Sequence, residues 1–392
     1  LGGFEPNLER LVKIWIERIS KVSCSFFVSL KNSYSFTRCA KNELVSRLYN
    51  RRESMLTRVL ALYFITTGLY ASVESNATRL KKIDKLERFA FGSCNSPYND
   101  QPLWEWINKD DPQLWIWGGD NIYAETEESA LVRQTYEMQN KVEGYNELKQ
   151  KTPIIGIWDD HDYGYDNADF TNPMKKESQK HFLDFVEEPL DSPRRKQEGI
   201  YTSYEIGTEE SKVKFILLDN RYFLNDPNQE DNILGEKQWQ WFEKQVKDSD
   251  AKINFIVSGL SVLSYVIRRT EEWIDHKPAF DRMRKVLDKY NPSGVVFLTG
   301  DKHFSSIFKR FGHLEFMSSG LSHTVEGLLM RSYVSRFYPN SFFGLNYGHV
   351  EIDWDSKPLA ITLSVKSFYP EPIFKYRYIL NPLNQWELAQ TK

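Results

Sequence analysis

The chain has 392 residues with 41% apolar, 15% aromatic and 27% charged side chains, a globular balance with enough aromatic volume to fill a large core. Its 51 Lys and Arg against 54 Asp and Glu leave a net charge of -3, so it lacks the basic excess that nucleic acid or an anionic membrane would call for as partner. One broad domain or two smaller ones fit this length.

In chain order, residues 1–54 hold ten Lys/Arg against five Asp/Glu and no segment that reads as folded structure; we read them as upstream sequence or a non-native extension. At Met55 a new pattern starts. Arg58 supplies a positive charge, an apolar run follows from Val59 to Ile65, and Thr66 to Tyr70 lead into Ala71 and Ser72. This is the order of a secretory signal peptide over 55–72, with a short buried helix as the alternative. An apolar stretch of about 12 residues is too short to span a bilayer comfortably, so no stable membrane span is expected. The mature chain would begin near Val73 and be secreted or enter the secretory pathway. Asn76-Ala77-Thr78 is a glycosylation sequon that agrees with export. Cys24 and Cys39 precede Met55, so processing would leave Cys94 alone, with no internal disulfide.

Over 86–392 short β-rich runs alternate with amphipathic stretches, which predicts one layered α/β domain. The predicted strands are Arg88 to Gly92, Leu114 to Trp117, Ile154 to Trp158, Ile200 to Glu205, Val213 to Leu218, Ile253 to Val257, Val295 to Leu298, Leu314 to Met317, His349 to Asp353 and Ala360 to Val365. The predicted helices are Leu103 to Asn108, Glu127 to Gln150, Lys175 to Glu187, Glu236 to Asp248 and Phe280 to Tyr290. After Leu314 few helices separate the strands, so antiparallel pairing is expected there. That favours two sheets packed together with helices outside.

Four apolar strands each run into a cluster of ligand-type residues: Ser93-Cys94-Asn95, Gly118-Gly119-Asp120-Asn121-Ile122-Tyr123, Asp159-Asp160-His161-Asp162 and Gly300-Asp301-Lys302-His303. The carboxyl ends of strands in α/β sheets are where ligands bind, and four such ends can face one crevice. Asp159-Asp160-His161-Asp162 packs three carboxylates and an imidazole into four residues, and carboxylates that close repel one another unless a cation neutralises them. A solvated turn with a helix cap is the plainer alternative for that loop. The two-residue step from Asp301 to His303 puts both on one side of an extended segment. His181, His276 and His313 read as ordinary core or surface histidines.

At these residues the chain resembles the calcineurin-like metallophosphoesterase superfamily, and more closely the alkaline phosphatase D (PhoD-like) family. Gly119-Asp120-Asn121-Ile122-Tyr123 resembles its aspartate-tyrosine segment, Trp158-Asp159-Asp160-His161-Asp162 its acidic-histidine segment, and Gly300-Asp301-Lys302-His303 its late Gly-Asp-x-His segment. Ser93-Cys94-Asn95 is similar to its cysteine-bearing first motif, Leu217 to Tyr222 to a further segment, and Ser319 to His323 more weakly to a last one. The resemblance covers roughly residues 86–325.

The resemblance implies an α/β fold, a two-layer αββα sandwich of mixed sheets flanked by helices, and a metal centre of Fe(III) with Ca²⁺, other divalent metals being the alternative. By matching position, Cys94 and Tyr123 would bind iron, Asp120 would bridge metals, and Asp160, Asp301 and His303 would complete the set; thiolate and phenolate suit Fe(III), carboxylates Ca²⁺. His161 would hydrogen-bond the phosphoryl group or protonate the leaving alcohol, and Arg221 would clamp phosphate, with a surface ion pair as its alternative. Asp159, Asp162, Asn95, Asp219 and His323 would support these residues. The implied reaction is direct attack of a metal-activated hydroxide on a phosphate ester, foremost a monoester. Two other functions stay open at this point: a phosphodiesterase or phospholipase-type hydrolase with the same centre, and a secreted calcium-binding protein without turnover.

Overall fold

The computed structural model describes residues 76–389 apart from 226–232, 264–271, 326–330, 333, 337 and 339. The readings of 1–54 as an extension and 55–72 as a signal peptide therefore lie outside the described residues.

Two sheets form the frame. The strands of the first are β1 (Arg88–Gly92), β2 (Trp115–Gly118), β3 (Ile154–Ile157), β10 (Tyr347–Asp353), β11 (Ala360–Lys366), β12 (Phe374–Leu380) and β13 (Trp386–Leu388), in the order β13-β12-β11-β10-β1-β2-β3. β1, β2 and β3 are parallel, while β10 to β13 pair antiparallel, as the scarcity of late helices predicts. The second sheet holds β4 (Thr202–Ile206), β5 (Val213–Leu217), β6 (Ile253–Ser258), β7 (Val295–Thr299), β8 (Ser305–Arg310) and β9 (His313–Ser318), in the order β4-β5-β6-β7-β9-β8. β5, β6, β7 and β9 are parallel.

The central strands β2, β5, β6 and β7 are buried along their whole length and largely apolar, as strands covered on both faces are. Between the sheets, Phe89 meets Phe215 and Phe255 edge-on at 5.3 and 4.9 Å, and Phe91 meets Phe316 at 4.9 Å. Outside the first sheet lie α2 (Leu103–Asp110), α3 (Ser129–Lys141), α4 (Glu143–Lys151) and α6 (Lys175–Phe185), with Trp104 set edge-on to Trp115 and Trp117. Outside the second, α7 (Gly235–Lys247) and α8 (Lys277–Tyr290) cover Ile216, Ile256 and Phe297 with Trp239, Phe242, Phe280 and Met283. This is the expected αββα layering.

Three expectations from the sequence change. The helix predicted over Glu127 to Gln150 is two, because Val142 is extended at φ -61° and ψ 120°. The restart lays Gly144 against Trp104 so tightly that a Cβ there would come within 2.6 Å of the Trp104 Cβ. β8, β12 and β13 add to the predicted strands; in β12, Phe374, Tyr376 and Tyr378 alternate with Lys375 and Arg377 at a strand's period. Thirdly, Asn76 opens the short α1 (Asn76–Leu80) and is buried. Its Nδ2 donates to Val186 O at 2.8 Å and its Oδ1 accepts from Arg79 and from the Ile154 N–H. A glycan on Nδ2 and this docked helix exclude each other, so the sequon does not mark a sugar site on the folded domain.

Candidate metal centre

The four ligand loops leave the strand ends by sharp turns. Cys94, Asp120, Asp301 and His303 all have positive φ, at 57°, 47°, 71° and 59°, a backbone region that non-glycine residues seldom occupy and that concentrates at functional sites. Gly119, at φ 102°, makes the turn before Asp120, and a Cβ on it would strike the Asp159 Cβ at 2.7 Å. The sheets are stitched here: Ser93 bridges to Ser319, the Ser93 hydroxyl donates to Ser318 O at 3.1 Å, and the Leu321 N–H to Ser93 O at 3.1 Å.

These turns bring the predicted ligands together. Ligand atoms of Cys94, Asp120 and His303 lie within 4.8 Å of one another, as do those of Asp120, Asp160 and His161, and those of Asp120, Asp159, Asp160 and Asp301. Asp120 is common to all three groups, the position a bridging carboxylate needs. Cys94 Sγ is 3.4 Å from Asp120 Oδ2 and 3.0 Å from the Ser319 hydroxyl. The Tyr123 hydroxyl lies 3.0 Å from His303 Nε2 and 3.5 Å from Asp120 Oδ2. Asp160 Oδ2 accepts from the Asn167 N–H at 2.7 Å. His161 Nε2 faces Asp160 Oδ2 at 4.0 Å and Asp166 Oδ1 at 3.8 Å, while its Nδ1 is 2.9 Å from Glu125 Oε1.

Arg221 sits elsewhere than a phosphate clamp would. Its side chain is 0% exposed and pairs through Nε with Asp159 Oδ1 and through Nη2 with Asp160 Oδ1 at 3.4 Å. It is a buried counter-charge behind the carboxylates, and neither the clamp nor the surface pair describes that place. The supporting residues are structural in an identifiable way. Asp159 caps α5 (Asp160–Tyr163) and exchanges capping bonds with Asp162, and Asp162 also holds the Asn121 N–H at 3.1 Å. Asp219 accepts from Trp158 Nε1 and from the N–H groups of Ile200, Arg221 and Tyr222. So the acidic loop is a helix cap and a ligand cluster at once. Asp159, expected only to support the ligands, joins the ligand-bearing group itself. Glu125 and Asn167 carry no motif that would single them out, and their signal is proximity in space alone; Ser319 opens the weakly matching last segment, which by itself assigns it no role.

The donor set fits metal ions. Four buried or half-buried carboxylates converge against Arg221 and against Lys302, which is 2.5 Å from Asp301. Asp159 Oδ2 is sealed from solvent without a hydrogen-bond partner among the described residues. Buried like charges of this kind are tolerated when a cation compensates them. A metal-free protein must manage without one. Burial, reinforced by Asp160 and Cys94, holds the Asp120 carboxyl well above its ordinary value; burial raises Asp159 against the pull of Arg221; and burial pushes Asp162 up to about 7. Burial would raise Asp160 too, but Arg221, His161 and the Asn167 N–H hold it below the usual range. At the thiol end, His303 and Ser319 bring buried Cys94 below its ordinary value, and Cys94 in turn takes His303 up to about 9.

The sign of the pH effect follows. Asp120, Asp159 and Asp162 bind their protons more tightly folded than unfolded, so their contribution is complete below about pH 4 and is lost as pH rises through the folded values. Asp160 works in the opposite sense, and so do the buried histidines His276, His313 and His323, which burial lowers to about 4 and whose contribution grows as pH rises toward their unfolded value. These contributions oppose one another in the metal-free protein, but metals take deprotonated ligands, so the rise in melting temperature that metal gives is expected to be larger near pH 7.5 than near pH 5. Thermal melts with and without chelator check this. A metal-induced rise that shrinks over that interval would contradict it.

Two mixed sheets with helices outside, and a thiol-carboxylate-imidazole centre at their strand ends, define a hydrolase of the metallophosphoesterase class. The family model of the PhoD-like phosphatases matches residues 89–328, more than half of the chain, and the chain belongs to that family. Among solved structures, that of PhoD is 16% identical with a TM-score of 0.59, over 78% of this chain and 72% of its own. The purple acid phosphatase PPD1 from yellow lupin seeds is 10% identical with a TM-score of 0.50, over 74% of this chain and 53% of its own. GAP50, the anchor in the inner membrane complex of Plasmodium, is 14% identical with a TM-score of 0.49, over 78% and 90%. No curated protein sequence matches the chain. The protein is a metal-dependent phosphoesterase. Among the described residues, no helix is long and apolar enough to cross a membrane.

Proposed function

We propose that this phosphoesterase is a phosphomonoesterase of the alkaline phosphatase D type, holding Fe(III) beside Ca²⁺. The observation that carries the reading is the division of the donors around Asp120. Cys94, Tyr123 and His303 lie on one side, a thiol-phenol-imidazole set suited to iron, and Asp159, Asp160 and Asp301 offer only the oxygens that calcium prefers. Metals held there supply Lewis acidity to the phosphoryl oxygens and activate water at neutral pH. The chain's own residues do the rest. Asp120 ties the two sides, Arg221 holds Asp159 and Asp160 in place as their counter-charge, and His161 donates a proton from Nε2 to the leaving oxygen. The family's phosphatase description supports the monoester preference.

The test is metal analysis of the purified protein with a panel of phosphomonoesters and diesters. Expected are bound iron and calcium, a visible tyrosinate or thiolate charge-transfer band, turnover faster on monoesters, and loss of activity with chelator. A colourless protein inert toward aryl phosphates would sink the reading, and faster diester turnover would transfer it to the diesterase class. We also propose export through the segment 55–72, supported by the apolar run Val59 to Ile65 behind Arg58; a secreted product whose first residue lies near Val73 is the expected result, and retention of 55–72 in the cell-associated protein the contrary one.

A further inference from the structure

Tyr123 is flanked by two imidazoles. The His161 ring lies 4.2 Å from it, centroid to centroid, at an interplanar angle of 32°, and the His323 ring lies 4.3 Å away at 37°. Both rings are tilted on the phenol, and two rings centred that close to it do not fit side by side on one face, so they take opposite faces of Tyr123. His323 also stacks on His303 at 5.7 Å and 23°, and its Nε2 lies 3.4 Å from Asn99 Nδ2. Its backbone is tied on both sides: the Ser322 N–H donates to Cys94 O at 3.1 Å, the Ser322 hydroxyl accepts from the Ser96 N–H at 2.6 Å, and the Val325 N–H donates to His303 O at 2.9 Å.

We propose that His323 is a positioning residue of the metal centre: its ring face, with His161 opposite, clamps Tyr123 so that the phenol oxygen is held between His303 and Asp120 before any metal arrives. This rests on the reading of Tyr123 as a metal-holding phenol. A free tyrosine side chain explores several rotamers, and ordering it costs free energy that binding must supply. A ligand locked in advance by packing spares that cost, which is how surrounding residues raise metal affinity. The role belongs to the flat face of His323, so another flat ring should serve in its place.

The experiment compares His323→Ala and His323→Phe with the full wild-type chain in two ways. The first is the rate at which the native metals are lost to a chelator, and the second is nitration of Tyr123 by tetranitromethane in metal-free protein, located by peptide mass. His323→Ala should lose metal about tenfold faster and nitrate Tyr123 several times faster, while His323→Phe should stay close to wild type in both. Wild-type rates in His323→Ala would overturn the clamp, and so would a Phe variant that behaves like the Ala variant. If the wild type holds no metal, the reading of Tyr123 as a ligand falls, and the nitration comparison alone decides the clamp.

Discussion

Replacing His161 with Phe is expected to lower kcat by about 10²- to 10⁴-fold, the usual range for a positioned proton donor, while metal content stays at the wild-type level. Phe keeps a flat ring against Tyr123 and removes Nε2, so chemistry is separated from packing. Three contacts hold His161 in its place. Tyr123 supports its face at 4.2 Å, Glu125 lies at Nδ1, and the loop is pinned by the Ala124 N–H bond to His161 O. The opposite nitrogen is thereby directed to the side of Asp160 and Asp166. If Nε2 protonates the leaving oxygen, the loss should be large for alkyl phosphates and small for p-nitrophenyl phosphate, whose leaving group needs no proton. KM should change little, because the interaction is made in the transition state. An equal loss on both substrates would assign His161 to holding the phosphoryl group. Metal loss in step with activity would remove it from catalysis altogether.

Replacing Arg221 with Met is expected to destabilise the metal-free protein by about 3–5 kcal/mol, the penalty for stripping one partner from a buried ionic group. Two carboxylates, Asp159 and Asp160, would then face each other without the guanidinium that now lies between them and the interior. The same variant should be rescued in part by saturating metal, which replaces some of the missing charge and stabilises by mass action. Chemical denaturation with chelator and with metal measures both numbers. A phosphate clamp would behave otherwise: KM would rise while metal-free stability stayed near wild type. Arg221→Lys separates the cases further, because a lysine keeps the charge and loses the fork that reaches two carboxylates.

The candidate ligands are legible in the sequence because their chemistry is local. Each apolar run from β1, β2, β3 and β7 ends in a short polar cluster, and the side chains in those clusters restrict what can bind there, so Cys94, Asp120, Tyr123, Asp160, Asp301 and His303 can be read as ligands and as a PhoD-like pattern without coordinates. The layered α/β class is legible for a similar reason, since strand and helix leave their period in the sequence. What a side chain faces is decided by segments distant in the chain, and no window along the sequence contains it. Arg221 is chemically able to clamp phosphate, but β5 delivers it behind β3's acidic loop, where Asp159 and Asp160 claim it. Asn76 satisfies a sequon, but Val186 and Ile154, far along the chain, take its amide into the interior. His323 reads as a late supporting residue until the junction of the two sheets lays it on Tyr123. The sequence by itself determined which donors this protein possesses and in what order; only the packing of one sheet on the other decided which of them converge, which are spent as counter-charges, and which ring holds another in place, because burial and opposition are properties of the assembled core and not of any strand.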